Sequence, residues 1–260
     1  MIARYKLFKV LNRNIMDFLT FALQEQIRAR VTKTLKDGIQ FNMSTEESKK
    51  FLKRHVNTRT NLVIMIIDIN NSTQMSLTLP EVKFAQLLQT FAQEVSIAVS
   101  GYGGYVFKYE GDAVIVIFPA EHDQIKACKN ALTCSRVVLE IIKNAINPIF
   151  NENKLPEITV RTGLAYGSAL VVLYGKSLEK AHIDITGSSI SLAAKIASMA
   201  KPNQVLVGEF IYNLIVSSSN DKDSLDKSKF VEVSLDPIKW KYLSQSDPQS
   251  FYHVYEYLVN

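Results

Sequence analysis

Apolar residues recur along the chain with two different periods, and these periods predict the order of the elements. A continuous apolar run from Asn61 to Asp68 ends on a carboxylate, which is typical of a strand buried on both faces. A stretch from about Pro80 to Ser100 repeats apolar residues at helical spacing. Two strand-like runs within residues 102–118 follow, and then a long helix from about Asp123 to Asn147, which we expect Pro148 to stop.

Residues 102–118 predict a β-hairpin, because two short runs rich in Val, Ile, Tyr and Phe flank Glu110 and Gly111. Gly111 can take the positive φ that a tight turn requires. Asp112 is then expected to begin the second strand at an exposed sheet edge, with Lys108 four residues earlier on the partner strand. The same pattern is also that of an ordinary hairpin with a polar tip.

The second half of the chain predicts further strands and helices. Residues 157–166 and 167–174 are two strand-like runs. Residues 182–186 form a strand end, and the small residues after it predict a helix that Ser188 or Ser189 can cap. Toward the C-terminus we expect a strand at 204–207, a helix at 209–216, a flexible stretch at 217–228, an anchoring aromatic side chain at Trp240, and strands at about 230–235 and 251–258.

The order of the first elements is β, α, β, β, α, β, which predicts an α+β fold with a ferredoxin-like antiparallel sheet and flanking helices. In that sheet the end of the first strand lies beside the start of the third. Asp68 and Asp112 are these two ends, so the topology brings together two carboxylates 44 residues apart in sequence. Asn71, Ser72 and Thr73 lie in the strand-to-helix turn that follows, where backbone N–H groups can hold phosphate oxygens.

Two carboxylates beside such a turn suit Mg²⁺ or Mn²⁺, which prefer oxygen ligands. Two such ions can clamp an in-line displacement at phosphorus. Gly175-Lys176-Ser177 resembles the end of a P-loop, but Leu170 stands where the earlier glycine is required, so we interpret this segment as a plain turn.

Residues 1–57 are predicted to form a helical N-terminal extension, and residues 58–260 a catalytic domain. Apolar residues at helical spacing within residues 5–36 predict an amphipathic helix or two, and Ser44 with Glu47 matches a capping box that starts a short helix. Residues 1–60 carry 13 Lys+Arg against 5 Asp+Glu. A solvated helical face would explain this excess of positive charge. The alternative is a weak contact with a membrane surface or an acidic partner. No nucleic-acid partner is predicted.

The composition, 47% hydrophobic and 21% charged over 260 residues, is that of a soluble globular protein. Neither a run of 18 apolar residues nor a signal-peptide cleavage pattern is present, so we expect a cytoplasmic protein. Cys128 and Cys134 lie six residues apart on one predicted helix, a spacing that suggests neither a disulfide nor a metal pair.

Over about residues 60–258, four ordered motifs resemble those of the class III nucleotidyl cyclases, the family of adenylate and guanylate cyclase catalytic domains. Each motif alone is weak, whereas the four in order are specific. The motifs are Ile67-Asp68-Ile69-Asn-Asn-Ser72-Thr73, Lys108-x-x-Gly111-Asp112, Arg161-x-Gly163-x-x-x-Gly167 and Asp184-x-x-Gly187-x-x-Ile190-Ser191-x-Ala193-Ala194-Lys195.

The resemblance implies a fold, a reaction and an assembly. The ribose 3′-hydroxyl of a nucleoside triphosphate would attack the α-phosphorus, and pyrophosphate would leave. Asp68, Asp112 and the carbonyl of Ile69 would hold two Mg²⁺ or Mn²⁺ ions. Because the site of this family forms between two cyclase domains, a homodimer with paired sites is implied.

The resemblance also places Lys108 and Asp184 where the family reads the base, with the two meeting across the dimer interface. An ammonium donor and a carboxylate acceptor suit adenine, whose N1 accepts and whose N6 donates, whereas guanine requires the reverse. ATP is therefore the expected substrate, and 3′,5′-cyclic AMP and pyrophosphate are the expected products.

Three positions depart from the family pattern. Ser191 and Lys195 stand where the family usually has an Asn and an Arg that act on the transition state, and neither exchange is conservative. Lys241 resembles the family's triphosphate-binding lysine, although Tyr242 replaces the usual glycine. The alternative function is therefore a catalytically weak or inactive homologue that binds nucleotide as a signalling or interaction domain. A diguanylate cyclase is a third hypothesis, for which the segment from Tyr109 to Asp112 is a partial match.

Overall fold

The computed structural model describes residues 23–39, 43–178, 180–218, 227–236, 238, 240–244, 247 and 249–259. Its elements in chain order are α1 (residues 23–37), α2 (Glu46–Lys53), β1 (Arg59–Ile69), α3 (Ser72–Thr78), α4 (Glu81–Gly101), β2 (Tyr105–Glu110), β3 (Ala113–Pro119), α5 (Gln124–Ile141), α6 (Asn147–Glu152), β4 (Val160–Tyr174), β5 (His182–Thr186), α7 (Ser188–Met199), β6 (Gln204–Gly208), α8 (Glu209–Ser217), β7 (Phe230–Glu232) and β8 (Val254–Tyr257).

The strands form one sheet in the order β2-β3-β1-β4-β6-β8-β7, with β5 pairing beside β4. β1 runs antiparallel to both β3 and β4, which confirms the predicted ferredoxin-like arrangement of the first four strands. One ladder differs from the prediction, because β6 runs parallel to β4 and the sheet is therefore mixed.

β1 is buried on both faces, as its continuous apolar run predicts. Leu62, Ile64 and Ile66 contribute to the hydrophobic cluster on one face of the sheet. The residues between them contribute to the cluster on the other face, against α4 and α5. Strand alternation thus divides one apolar run between two cores, and β1 becomes the fixed centre of the sheet.

Pro148 does not stop the long helix, so that prediction was wrong. α5 passes into one π-helical turn, Ile142–Ile146, and then into α6, which ends at Glu152. Pro148 lies in the first turn of α6, where a missing N–H group costs little. The two strand-like runs at 157–166 and 167–174 likewise form a single strand, β4.

α1 packs against the body of the protein. Its buried residues Ile27, Val31 and Leu35 join the cluster that α4 and α5 also line. Arg30 forms two hydrogen bonds to Glu94 of α4, at 2.8 and 2.5 Å. The predicted helix before residue 23 lies outside the described residues, and the domain boundary at residue 57 remains a prediction.

Two predicted helix caps were wrong. The N-cap of α2 is Thr45, and Ser44 instead accepts a hydrogen bond from the N–H of Glu46 at 3.0 Å. The N-cap of α7 is Gly187, and no side chain caps that helix. Ser188 therefore lies one position inside the helix that it was expected to cap.

Two other predictions of the sequence, for the cysteines and for Trp240, are confirmed. Cys128 and Cys134 are both buried and free on α5. Trp240 is buried and donates a hydrogen bond from Nε1 to the carbonyl of Tyr252 at 2.8 Å, which fits an anchoring role. In the part of the chain that the structure describes, no helix combines the length and the apolar character needed to cross a membrane.

Candidate active site

The tight turn of the β2–β3 hairpin consists of two residues, Gly111 and Asp112. Glu110 pairs with Ala113 on either side of it. Gly111 has a φ of 60°, which glycine adopts without the cost that a Cβ atom brings. Asp112 therefore lies in the turn itself. The prediction that it begins the second strand was wrong.

The turn brings Asp112 to the end of β1. Asp68 is opposite Ala113 in the β1–β3 ladder, and the N–H of Ile69 lies 3.4 Å from the carbonyl oxygen of Asp112. The sheet topology therefore places the two carboxylates side by side, as predicted. Burial, together with the neighbouring Asp112 carboxyl, raises the pKa of Asp68 above its ordinary value, although Arg161 acts in the opposite direction.

Arg161 of β4 belongs to this site, although the sequence alone indicated it only as part of a strand motif. It pairs with Asp68 in the β1–β4 ladder and donates a hydrogen bond from Nη2 to Asp68 Oδ2. Its buried Nε has no hydrogen-bond partner among the described residues. The signal that would have found it is register, since an arginine at the start of β4 faces the last carboxylate of β1.

The donor atoms at this edge fit a hard divalent cation. Asp68 and Asp112 supply carboxylate oxygens, and Ile69 supplies a backbone carbonyl within the same turn region. Within the described ranges there is no group of three or more His, Cys, Asp or Glu side chains that could hold a metal. Mg²⁺ is commonly bound by one or two carboxylates together with substrate phosphates and water, so this small set suits Mg²⁺ or Mn²⁺ when a triphosphate is bound.

Lys108 and Asp184 form an ion pair within one chain, with 2.5 Å between Nζ and Oδ2. The expectation that they meet across a dimer interface was therefore wrong for this structure. The irregular register of β2 between Val106 and Lys108 accompanies this contact, which joins β2 to β5. The two base-reading candidates thus form one preassembled donor–acceptor pair.

Several groups act on the Asp184 carboxylate. The N–H of Ile185 donates to Oδ1 at 2.7 Å, and His182 Nε2 lies 3.5 Å from Oδ2. Burial alone would raise the pKa of Asp184, but the hydrogen bonds from Lys108, Ile185 and His182 together hold it below its ordinary value. Asp184 is therefore ionised and able to accept from an exocyclic amine.

A cleft of about 390 Å³ is lined by one member of each pair, Asp68 and Lys108. Its polar lining consists of Asp68, Lys108, Glu110, Arg161, Ser191 and Ser198. Its apolar lining consists of Ile66, Ala113, Ile115, Ile190, Ala194 and Ala197. Carboxylates, cations and an apolar wall therefore share one concave surface, which is the usual character of a small-molecule site.

α7 carries two of the candidate residues, one of which lines the cleft. Ser191 is exposed and lines the cleft, and Lys195 is half-buried one turn further on. Gly163 of β4 allows the helix to lie directly on the strand, because a Cβ at that position would be 2.2 Å from the backbone nitrogen of Ala197. The position of Ser191 and Lys195 therefore depends on this close contact.

Of the predicted site residues, Asp68, Lys108 and Ser191 line the cleft, whereas Ile69, Asp112, Asp184, Lys195 and four further candidates do not. Asn71 adopts a left-handed conformation with φ of 58°, and Ser72 and Thr73 follow it in the short helix α3. Lys241 lies in an exposed segment beside buried Trp240. None of these four residues is part of the described lining, so their predicted phosphate contacts remain predictions.

Comparison with known proteins gives consistent similarities. The family model for the adenylate and guanylate cyclase catalytic domain matches residues 55–238. The chain is 28% identical over 153 residues to a cytidylate cyclase from Staphylococcus aureus, and 22% identical over 187 residues to one from Escherichia coli. These matches cover 56% and 69% of this chain, but only 36% and 40% of those relatives.

Solved structures show the same fold at low sequence identity. The adenylyl cyclase CyaB from P. aeruginosa superposes with a TM-score of 0.61 at 20% identity, over 77% of this chain and 94% of that one. The guanylyl cyclase Cya2 superposes with a TM-score of 0.62 at 16% identity, over 78% of this chain and 93% of that one.

Proposed function

The chain belongs to the family of adenylate and guanylate cyclase catalytic domains, and from this premise we propose that it converts ATP into 3′,5′-cyclic AMP and pyrophosphate. The observation that carries the proposal is the Lys108–Asp184 pair, which presents one donor and one acceptor, with Lys108 lining the same cleft as Asp68. The N1 atom of adenine can accept from the ammonium group while its N6 amine donates to the carboxylate.

In the proposed reaction the ribose 3′-oxygen forms a bond to the α-phosphorus, and the bond from that phosphorus to the bridging oxygen of pyrophosphate breaks. The proton of the 3′-hydroxyl passes to solvent water. Divalent ions held by Asp68, Asp112 and the Ile69 carbonyl would supply Lewis-acid stabilisation of both oxygens. Arg161, which donates a hydrogen bond to Asp68, would supply a guanidinium group beside the phosphate oxygens.

We assign the transition-state contacts to α7. The ammonium group of Lys195 would balance charge that develops on the α-phosphate, and the hydroxyl of Ser191 would donate one hydrogen bond. Both groups are less well matched to a phosphorane than a planar guanidinium or an amide is. Turnover slower than that of a cyclase with Asn and Arg at these positions is therefore part of the proposal.

Cytidylate cyclase activity is a second candidate, favoured by the two relatives that carry this name. Cytosine places a ring acceptor, N3, beside an exocyclic amine, N4, just as adenine places N1 beside N6. The Lys108–Asp184 pair therefore accepts both bases by the same rule. Guanine and uracil present a ring N–H beside a carbonyl and are rejected.

We further propose a homodimer, in the cytoplasm, with two paired sites. Because Lys108 and Asp184 meet within one chain, each base-reading pair would come from a single subunit. Although Asp68 and Lys108 line one cleft of the same chain, the proposed subunit interface would bring the metal carboxylates of one chain to the base-reading pair and α7 of the other.

A product assay tests the proposal directly. Purified full-length protein is incubated with Mn²⁺ and each of ATP, CTP, GTP and UTP, and cyclic products are separated by chromatography. We expect cyclic AMP as the main product, and cyclic CMP as the main product if the second candidate is right. An Asp112→Ala variant serves as the control, and no product above that control for any substrate would leave the non-enzymatic nucleotide-binding hypothesis in its place.

A further inference from the structure

A second cavity, of about 280 Å³, lies at the start of α7. Its lining consists of Arg59, Tyr166, Gly167, Ser168, Ser188, Ser189, Leu192 and Phe210, none of which lines the cleft. Arg59 and Asp68 stand at opposite ends of β1. Nine residues of extended strand correspond to about 30 Å, so this cavity is well separated from the carboxylate pair.

The first turn of α7 faces this cavity. α7 has 12 residues, and its N-cap, Gly187, provides no side-chain hydrogen bond. The first N–H groups of a helix have no partner within the helix, and the aligned peptide dipoles give this end a partial positive charge. Such an end favours an anion.

Ser189 provides independent evidence of a missing partner. Its side chain is only 2% exposed, and among the described residues its Oγ has no hydrogen-bond partner. A buried hydroxyl without a partner is unusual and requires an explanation. Gly167 lies directly opposite, where a Cβ would be 3.1 Å from the Cβ of Ser189, so the glycine keeps this side of the cavity open.

The charge of the lining also selects an anion. Arg59 is the one charged residue in it, it is exposed, and it forms no ion pair within the described ranges. The remaining polar side chains include the hydroxyl groups of Ser168, Ser188 and Ser189. A guanidinium group, serine hydroxyls and backbone N–H groups are the donors that bind phosphate in proteins.

We propose that this cavity binds a phosphate group, supplied either as inorganic phosphate or as one end of pyrophosphate. The oxyanion accepts hydrogen bonds from the first turn of α7 and from Ser189 Oγ, and it pairs with Arg59. Because α7 also carries Ser191 and Lys195, the ligand binds to the same helix that borders the cleft.

The test measures phosphate binding without metal. In EDTA, which prevents metal-bridged phosphate at Asp68 and Asp112, thermal unfolding and titration calorimetry are followed with inorganic phosphate, with pyrophosphate, and with chloride at matched ionic strength. We expect the phosphates to raise the melting temperature. Arg59→Gln should weaken the binding of these phosphates at least tenfold. Lys83→Gln removes an equal charge at an exposed position of α4 and should not weaken it.

Ser189→Ala makes the test independent of folding defects. Its hydroxyl has no partner to lose, so the melting temperature of the free protein should not fall. The affinity for phosphate should fall at least tenfold, and phosphate should therefore raise the melting temperature less than it does in the wild type. Tighter binding of pyrophosphate than of phosphate identifies the diphosphate as the ligand, and equal binding identifies the single phosphate group. The proposal is overturned if about 10 mM phosphate does not stabilise the wild type beyond chloride, or if Arg161→Gln abolishes binding while Arg59→Gln and Ser189→Ala do not.

Discussion

Lys108 and Asp184 are 76 residues apart in sequence, yet Nζ and Oδ2 lie 2.5 Å apart in a single chain. Each side chain is about a quarter exposed, so the pair remains accessible to solvent. In the proposed function a base would enter only by replacing this contact. It must therefore form hydrogen bonds to the ammonium donor and the carboxylate acceptor together. A base that bonds to only one of these groups leaves the other charged group half-buried and without a partner.

Reversal of this donor–acceptor order should change base preference. Lys108→Glu combined with Asp184→Asn offers an acceptor to a ring N–H and a donor to a carbonyl. We expect the ratio of kcat/KM for ATP to that for GTP to fall by about a hundredfold, because a site built for hydrogen bonding rejects bases with the wrong pattern. Steady-state kinetics with both nucleotides measures this ratio. Lys83→Gln gives the same net loss of one positive charge on an exposed helix face and should leave the ratio unchanged. An unchanged ratio in the double variant would show that this pair does not read the base.

Mixing two inactive variants should restore activity if the sites lie between subunits. Asp112→Ala removes a metal ligand, and Lys195→Ala removes the α7 cation. Random reassociation should then give about a quarter of wild-type activity, because half of the dimers are mixed and each has one intact site. Activity is measured before and after the variants are mixed and allowed to exchange. A mixture no more active than its components would show that each site is built from one chain.

Restoring the usual family residues on α7 should accelerate turnover. We expect Ser191→Asn with Lys195→Arg to raise kcat about tenfold, since an amide and a planar guanidinium offer better-directed donors to the transition state. Ser198→Asn, which enlarges another exposed serine of the cleft, is the matched control and should give no gain. If the double variant is no faster, the present residues already support the chemistry in a readjusted geometry.

A methyl group at Gly163 should disturb α7. The Cβ of Gly163→Ala would lie 2.2 Å from the backbone nitrogen of Ala197, so the helix must move away from β4. We expect the free energy of unfolding to fall by about 1–3 kcal/mol and kcat to fall with it. Gly101→Ala at the end of α4 meets no atom within 4 Å and should have little effect on either quantity. Urea unfolding of both variants provides the comparison, and equal stability would disprove the close-contact argument.

The contact between α1 and α4 should contribute strongly to stability. Glu94 is 1% exposed and loses its charged partner in Arg30→Ala. We expect a loss of about 3 kcal/mol in the free energy of unfolding, because a buried charge is left uncompensated. Arg28→Ala breaks exposed ion pairs to Glu25 and Glu152 and should cost less than about 1 kcal/mol. Comparable losses in the two variants would mean that α1 is only loosely attached.

The sequence predicts the parts of the fold that depend on local pattern. The apolar run of β1, the positive φ at Gly111 and the order of the first four strands all follow from periodicity and turn chemistry. The pairing of β6 with β4 does not, because no local signal distinguishes a parallel neighbour. The π-helical turn before Pro148 is likewise a tertiary outcome, since it lets the chain continue as a helix where the proline alone predicts an end.

The candidate site shows the same division. The position of Asp68 beside Asp112 follows from topology, because both lie where strands end or turn. Arg161 is brought to them by the β1–β4 register, and Lys108 reaches Asp184 through a contact between distant strands. Such contacts depend on how distant strands are arranged in space, and the spacing of residues in one sequence does not predict that arrangement.

β1 has one further consequence for how the chain assembles. Both of its faces are apolar, so a shift by one residue would exchange one hydrophobic surface for another, and the strand interior specifies its alignment weakly. The charged pair formed by Asp68 and Arg161 at its end is sensitive to such a shift, because a displaced carboxylate would lose its counterion. We therefore expect the residues proposed for metal and phosphate binding also to favour the correct alignment of β1, because an incorrect strand pairing would separate the charges that the proposed reaction requires.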